Sequence, residues 1–490
     1  MADAAAATDF PAPVYSETVL DPNFEQAKKH FFGFLLRIHD AHTRMLARQG
    51  IITPEEERRL IATLGGLEKA SIASSGRGAR EDLFYVVEAA LEQACGRELA
   101  GKMHTARSRN DIAVTLFRML ARERLLEVFE AAGQLRAALL RLAGEHADTV
   151  MPAHTHMQPA QPTTLAHYLL AACEFLDRDA ERMKGAFSRV NLSPMGAAAI
   201  TTSGFPVDRE YTARLLGFEG LAENSYGAIA AIDYLTEIAA AIAVAMVNVG
   251  KLNQDFLLWS TREFGFLRLS DGFAQGSSIM PQKRNPVALE HTRILASRAL
   301  GQAQAVLGCA HNTPFGDIND SEDPLQPVAL AMFGSARGAL RLLAGAIAAA
   351  EVDRDHLARR AASDFLTATE LADTLVRREG WCFREAHDVV AEAVRACGSD
   401  DRPEAVAAAL LRIKPAVRLS RAEIVEALDP RHFVGIRKVV GGPAPECTRE
   451  AVRRAAETQR RQEAWLAQKR QLVKGVRGES RSAFASHPEP

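Results

Sequence analysis

The chain has 490 residues, 47% of them apolar and 24% charged, which is the balance of a globular protein too long for one compact core. Its 59 basic and 61 acidic residues leave a net charge of −2, which argues against a nucleic-acid partner, because such proteins carry a basic excess. The six cysteines lie far apart with no Cys-x-x-Cys pair, so neither a zinc site nor a disulfide framework is expected, and a reducing cytoplasm fits.

No basic segment followed by an apolar core stands at the N-terminus, so no signal peptide is read there. Residues 1 to about 22 read as irregular, broken by Pro11 and Pro13. Helical spacing then runs over 24–49 and stops at Gly50. Thr53 caps the next helix, with Pro54 at its first position. A further helix is expected over 80–96. These short elements form an expected N-terminal helical domain, 1–111.

Beyond residue 111 the texture changes. Long amphipathic patterns cover 112–148, 164–190, 224–264, 287–310 and 325–350. The 3.6-residue period dominates and strand-like alternation is absent, so the expected fold is all-α. The alanine-rich faces of 228–249 are apolar nearly all round and need partners on several sides. We therefore expect a central bundle, 112–360, that packs against other subunits. Its longest apolar run, 238–247, is too short to span a bilayer and reads as a buried helix. Shorter helices over 367–379, 382–396 and 402–411, then a last one over 451–469, make an expected C-terminal domain, 361–490, with a loose tail from Gly475.

Three polar stretches interrupt this helical text. Ser108, Arg109 and Asn110 place three donors in a row before a long helix; such a set can hold a carboxylate, with Arg109 bidentate. Residues 151–162 hold three prolines and two histidines between long helices. His154 and His156 lack a third ligand at metal spacing, so no metal is expected. Residues 276–286 run Gly-Ser-Ser-Ile-Met-Pro-Gln-Lys-Arg-Asn-Pro, a polar loop feeding a helix N-terminus, where anions are favoured.

That last string resembles the signature of the fumarase/aspartase superfamily, in its argininosuccinate lyase-like form. The first two stretches resemble two further regions of the same family, and smaller likenesses extend over roughly 40–460. The resemblance implies three helical domains and a homotetramer with a long-helix core, each active site shared by three subunits. It implies β-elimination of fumarate from a small succinyl substrate, with no cofactor and no membrane partner. Ser277 would be the base, acting as an alkoxide held by positive charge and backbone N–H groups. Lys283 and Asn285 would stabilise the carboxylate that becomes doubly charged. His156, oriented by Glu290, would protonate the leaving nitrogen. Ser108, Arg109, Asn110, Thr155, Ser278 and Met280 would line the succinyl half.

The amine half departs from the family. His39 falls where a serine is usual. An ungapped comparison puts Pro314, Asn319 and Glu322 where the family carries a tyrosine, a glutamine and a lysine. Exchanging lysine for glutamate repels a carboxylate and favours an amine. The expected substrate is therefore an N-substituted aspartate with an unusual amine, such as ethylenediamine-N,N′-disuccinate. Argininosuccinate is the alternative, and an adenylosuccinate-type substrate is disfavoured for want of further phosphate-binding basic sequence.

Overall fold

The computed structural model describes residues 10–69, 72 and 82–475. Five long helices form the centre: α1 (Arg109–Glu145), α2 (Leu165–Val190), α3 (Asp233–Trp259), α4 (Val287–Ala310) and α5 (Gln326–Ala348). They pack α2 on α1, α3 on α4, α4 on α5 and α5 on α1. One hydrophobic cluster runs through all five. A second joins the helices of the first hundred residues to the start of α1 and to Met195, Ala213 and Phe218. A third lies within 371–428.

Caps explain several boundaries. Thr53 and Glu56 form a reciprocal capping box at Pro54, and Ser108 and Asp111 form another at the head of α1. Two expected helices are broken. The 24–49 pattern divides at Phe31 into Asp21–His30 and Phe32–Arg48. The 224–264 pattern divides where Ala231 turns extended (φ −85°, ψ 121°), after a short helix, Ser225–Ala230, capped by Asn224. Neither break carries a proline or glycine, so periodicity ran through both. Residues 13–20 are helical rather than irregular. The start of the helix expected from residue 80 lies outside the described residues, and Asp82 caps the visible part, Leu83–Cys95. The tail beyond 475 also lies outside them.

The last helix, Pro445–Val473, is longer than expected and packs on the bundle. Arg136 donates to Gln459 at 3.0 Å, Gln462 to Asp177 at 2.8 Å, and Arg470 pairs with Glu130 at 2.7 Å. Trp465 lies 4.7 Å from the Phe129 ring. These contacts fasten it to α1 and α2, away from the 371–428 cluster with which the sequence had grouped it.

Among the described residues the helical expectation has one sizeable exception. Residues 151–162 sit in an antiparallel hairpin, β1 (Val150–Thr155) and β2 (Gln158–Thr164), which pairs Pro152 with Pro162. Only two strands are present in this sheet, so the missing proline N–H groups can face outward. Period-two alternation was hidden by the prolines and by a register shift between Ala153 and His154.

By length and composition α3 and the 319–348 segment could each cross a membrane, although about half of each is buried inside the chain. The apolar run 238–247 lies inside the longer helix α3. The outer faces of α3 and α4 leave Val244, Val247 and Ile294 exposed.

Arg122 is fully buried inside this frame. It donates to Asn191 at 2.7 Å, to the carbonyls of Gly217 (3.2 Å) and Leu216 (2.6 Å), and stands over the Phe218 ring. Arg122→Met removes the donors and leaves buried acceptors unpaired. A loss of ~3 kcal/mol of unfolding free energy is expected in urea titration.

Candidate active site

The head of α1 gathers the first group. Ser108 Oγ accepts the Asn110 N–H at 3.3 Å, and the Ser108 N–H reaches Asp111 at 3.0 Å. Asp111 is fully buried and also accepts the N–H groups of Gly196 (2.9 Å) and Ala198 (3.0 Å). Burial pushes its carboxyl up to about 6, against the pull of those three N–H groups. One carboxylate thus caps α1 and nails the 194–199 loop beside Ser108. Gly196 has φ +86°, and a Cβ there would sit 2.7 Å from Arg209 Cγ. Arg209 itself donates to the carbonyls of Met195, Ala222 and Glu223 and so ties this loop to Asn224.

Acids crowd the same place. Arg109 pairs with Asp82 at 3.2 Å. Asn110 Nδ2 donates to Asp317 at 2.5 Å, which brings the 313–323 segment onto the head of α1. Burial and the neighbouring Asp317, to which it hydrogen-bonds, hold the Glu322 carboxyl well above the usual carboxylate range. Burial, with Asp82 nearby, pushes Asp323 up to about 6. Asn319 stands exposed on a single 3-10 turn, Asn319–Ser321. His39 is elsewhere. It is 0% exposed, behind Arg107 rather than in the open site, so the expectation that it lines a substrate pocket does not match its position.

The other residues sit at the far end of the bundle. Thr155 and His156 form the exposed tip of the β1–β2 hairpin. His156 (φ +50°) and Met157 (φ +65°) make its two-residue turn, a conformation that usually calls for Asn-Gly. His154, two residues back, rests against the Phe264 and Phe266 rings. The 276–286 loop leaves the same end. Gln275–Gly276 pairs with Arg284–Asn285, closing the loop into a small hairpin. Arg284 ties it down through Asp271 and the Leu269 carbonyl. Just past its base Ser277 Oγ accepts the N–H groups of Met280 (3.0 Å) and Ile279 (3.3 Å). Ser278, Met280 and Lys283 are exposed and Asn285 is half-buried. Glu290 lies exposed in the first turn of α4.

The two ends are far apart. The 37 residues of α1 span ~55 Å at 1.5 Å per residue. The hairpin that follows reaches only ~20 Å. Within one chain Ser108–Asn110 and Asn319–Glu322 come together, while Thr155, His156, Ser277, Ser278, Met280, Lys283, Asn285 and Glu290 do not join them.

The comparisons with known proteins bear on this arrangement. The lyase family matches residues 48–301, and the argininosuccinate lyase C-terminal family matches 365–435. The chain is 42% identical to argininosuccinate lyase 2 of Agrobacterium fabrum over 451 residues, 90% of each chain. It is 39% identical to the argininosuccinate lyase of Methanoculleus marisnigri over 445 residues, again 90% of each. The chain belongs to the argininosuccinate lyase-like branch of the fumarase/aspartase superfamily. Among solved structures, an EDDS lyase in complex with formate superposes with a TM-score of 0.83 and 33% identity, covering 96% of this chain and 94% of that one. A crystal structure of a fumarate lyase from Mesorhizobium sp. BNC1 shares the fold at a TM-score of 0.72 and 20% identity.

This lyase is therefore an enzyme that breaks a carbon–nitrogen bond and releases fumarate. Four acids of the site went unremarked in its sequence. Asp111 had a readable signal, because it stands three residues after Ser108 as a capping box requires. Asp82, Asp317 and Asp323 had none, since they meet the head of α1 only through tertiary folding. Gly196→Ala tests the frame around Ser108. Positive φ and the Arg209 contact should cost ~2 kcal/mol of stability, and calorimetric fumarate affinity should fall with it.

Proposed function

We propose that this lyase takes an N-substituted aspartate whose amine part carries its own positive charge, an aminopolycarboxylate of the ethylenediamine-disuccinate type. The observation that carries this reading is the acid group Asp317, Glu322 and Asp323 beside Asn110. An ammonium on the amine part fits there. The likeness to EDDS lyase points the same way. Argininosuccinate remains the second reading, favoured by the 42% identity to argininosuccinate lyase 2.

In the proposed reaction Ser277 removes the proton beside the substrate carboxylate. Its oxygen already accepts two backbone N–H groups, which is what an alkoxide needs. Lys283, on the same loop, and Asn285 face the charge that develops on the carboxylate. His156, set by Glu290, delivers the proton to the leaving nitrogen. Arg109, Asn110, Ser108, Thr155, Ser278 and Met280 hold the succinyl part; Asn319 and Glu322 meet the amine. No cofactor enters these steps.

The proposed assembly is a homotetramer with three chains at each site. One gives residues 108–110 and 313–323, a second the hairpin tip, a third the 277–290 stretch. The length of α1, the exposed hairpin turn and the uncovered α3 and α4 faces support it. The unpaired cysteines support a cytoplasmic setting. Mixing inactive Ser277→Ala and His156→Ala chains should restore part of the activity after exchange of subunits, and a persistent zero would count against shared sites.

Fumarate release, followed by its ultraviolet absorbance, separates the substrate readings. Ethylenediamine-disuccinate should outpace argininosuccinate, and N-(2-aminoethyl)aspartate, whose tail is cationic without a carboxylate, should bind best. Ser277→Ala should lower every rate by ~10³-fold or more. If argininosuccinate is cleaved faster than both diamine derivatives, the amine reading fails.

The acid pair adds a pH signature. Glu322 is raised, so it holds a proton at pH values where an ordinary glutamate would not. A cationic amine prefers the ionised pair and expels that proton. KM for a diamine-derived substrate should therefore fall as pH rises from 6 to about 8, by up to ~tenfold per unit. Glu322→Gln should flatten that slope.

A further inference from the structure

Two histidines on the helix Phe32–Arg48 are buried against the turn that leads into Ser108. His39 is 0% and His42 1% exposed. His39 Nδ1 accepts an N–H from Arg107 at 2.8 Å. A guanidinium only donates, so the His39 proton is on Nε2. That Nε2 has no hydrogen-bond partner among the described residues. His42 Nε2 donates to the Thr105 carbonyl at 2.9 Å. Glu88 completes the grip: it accepts from Arg107 Nη2 at 3.3 Å and faces His104 Nδ1 at 3.0 Å. The Phe84 ring lies against both His39 and the Arg107 guanidinium.

The segment so held is strained. Ala106 has φ +61°, a left-handed conformation that costs a non-glycine residue stability and persists only where its surroundings impose it. His104, Thr105 and Arg107 are each fixed from outside, and Ala106 is trapped between them. The chain leaves this turn directly into Ser108, Arg109 and Asn110. Burial and the neighbouring guanidinium keep both histidines neutral, with His42 lowered to about 3. A charged imidazole would push Arg107 away.

We propose that His39 and His42 are positioning residues that, with Glu88, hold the 104–107 turn in its strained form and so preset the succinyl-carboxylate donors Ser108, Arg109 and Asn110. His39 then acts on the succinyl half through Arg107 and does not select the amine. This rests on the reading of Ser108–Asn110 as carboxylate donors, but not on which amine is used.

Fumarate, the product common to every candidate substrate, is the probe. His39→Leu cannot accept from Arg107. It should weaken fumarate binding, measured by calorimetry, by about tenfold. It should raise KM for argininosuccinate and ethylenediamine-disuccinate by the same factor, with kcat changed much less. His39→Gln, whose amide oxygen can accept the same N–H, should recover most of the loss. Glu88→Ala removes the outer hand on Arg107 and should repeat the pattern, which keeps the test open if His39→Leu does not fold. Unchanged fumarate affinity in His39→Leu, or in Glu88→Ala should the former not fold, overturns the proposal. So does a changed ratio between the two substrates, which would make His39 part of amine selection. If the amine reading is wrong but the brace is right, the fumarate losses remain and only the ranking of substrates differs.

Discussion

The rest of the structure depends on the rigidity of α1. A 37-residue helix cannot bend its ends together. Whatever stands at its head stays ~55 Å from whatever follows its tail. Ser108, Arg109 and Asn110 are at the head, and the histidine hairpin follows the tail. Chemistry that needs both must draw them from different copies of the chain. The exposed hairpin turn fits that demand. His156 and Met157 hold positive φ at its tip, a conformation that costs a non-glycine residue stability.

At the head itself the ordering comes from buried charge. Asp111 caps α1 and binds two N–H groups of the 194–199 loop though wholly buried. Desolvation raises its carboxyl, and three backbone donors and the nearby Arg107 oppose that rise in part. The Glu88–Arg107–His39 contact lies one turn of chain away, so the donors Ser108–Asn110 stand between two buried anchors. The 313–323 segment is built differently. Asp317, Glu322 and Asp323 sit on or beside short 3-10 turns rather than on a long helix.

Much of this was legible in the sequence and the remainder shows why it was not. Periodicity located all five long helices, because burial of one face is a local signal. It missed the breaks at Phe31 and Ala231, where tertiary packing, not a breaker residue, ends a helix. The hairpin was hidden because Pro152, Pro159 and Pro162 suppress the alternation that marks a strand. The motif residues were recognisable one by one, but their separation into two ends followed only from the length of α1. His39, expected to line the amine side of a pocket, is buried behind Arg107 instead. That placement could not be read in the sequence, since nothing local says whether a histidine on an amphipathic helix meets solvent or the back of an arginine.

The 276–286 loop shows how short-range geometry would suit Ser277 to the proposed role of base. A serine hydroxyl is a poor proton acceptor because its conjugate anion is costly in water. Here the oxygen accepts two main-chain N–H groups from its own loop, so its lone pairs are engaged and its hydrogen is left to point elsewhere. Loss of that hydrogen strengthens both bonds, since charge-assisted hydrogen bonds are roughly twice as strong as neutral ones. The donors are fixed in advance: the strand pairing at 275–276 and 284–285, with Arg284 on the Leu269 carbonyl, closes the loop at its base. Lys283, next to that base, has no described ion-pair partner and brings a cation to the same few residues. In the proposed reaction the loop would therefore carry its own means of holding negative charge on Ser277.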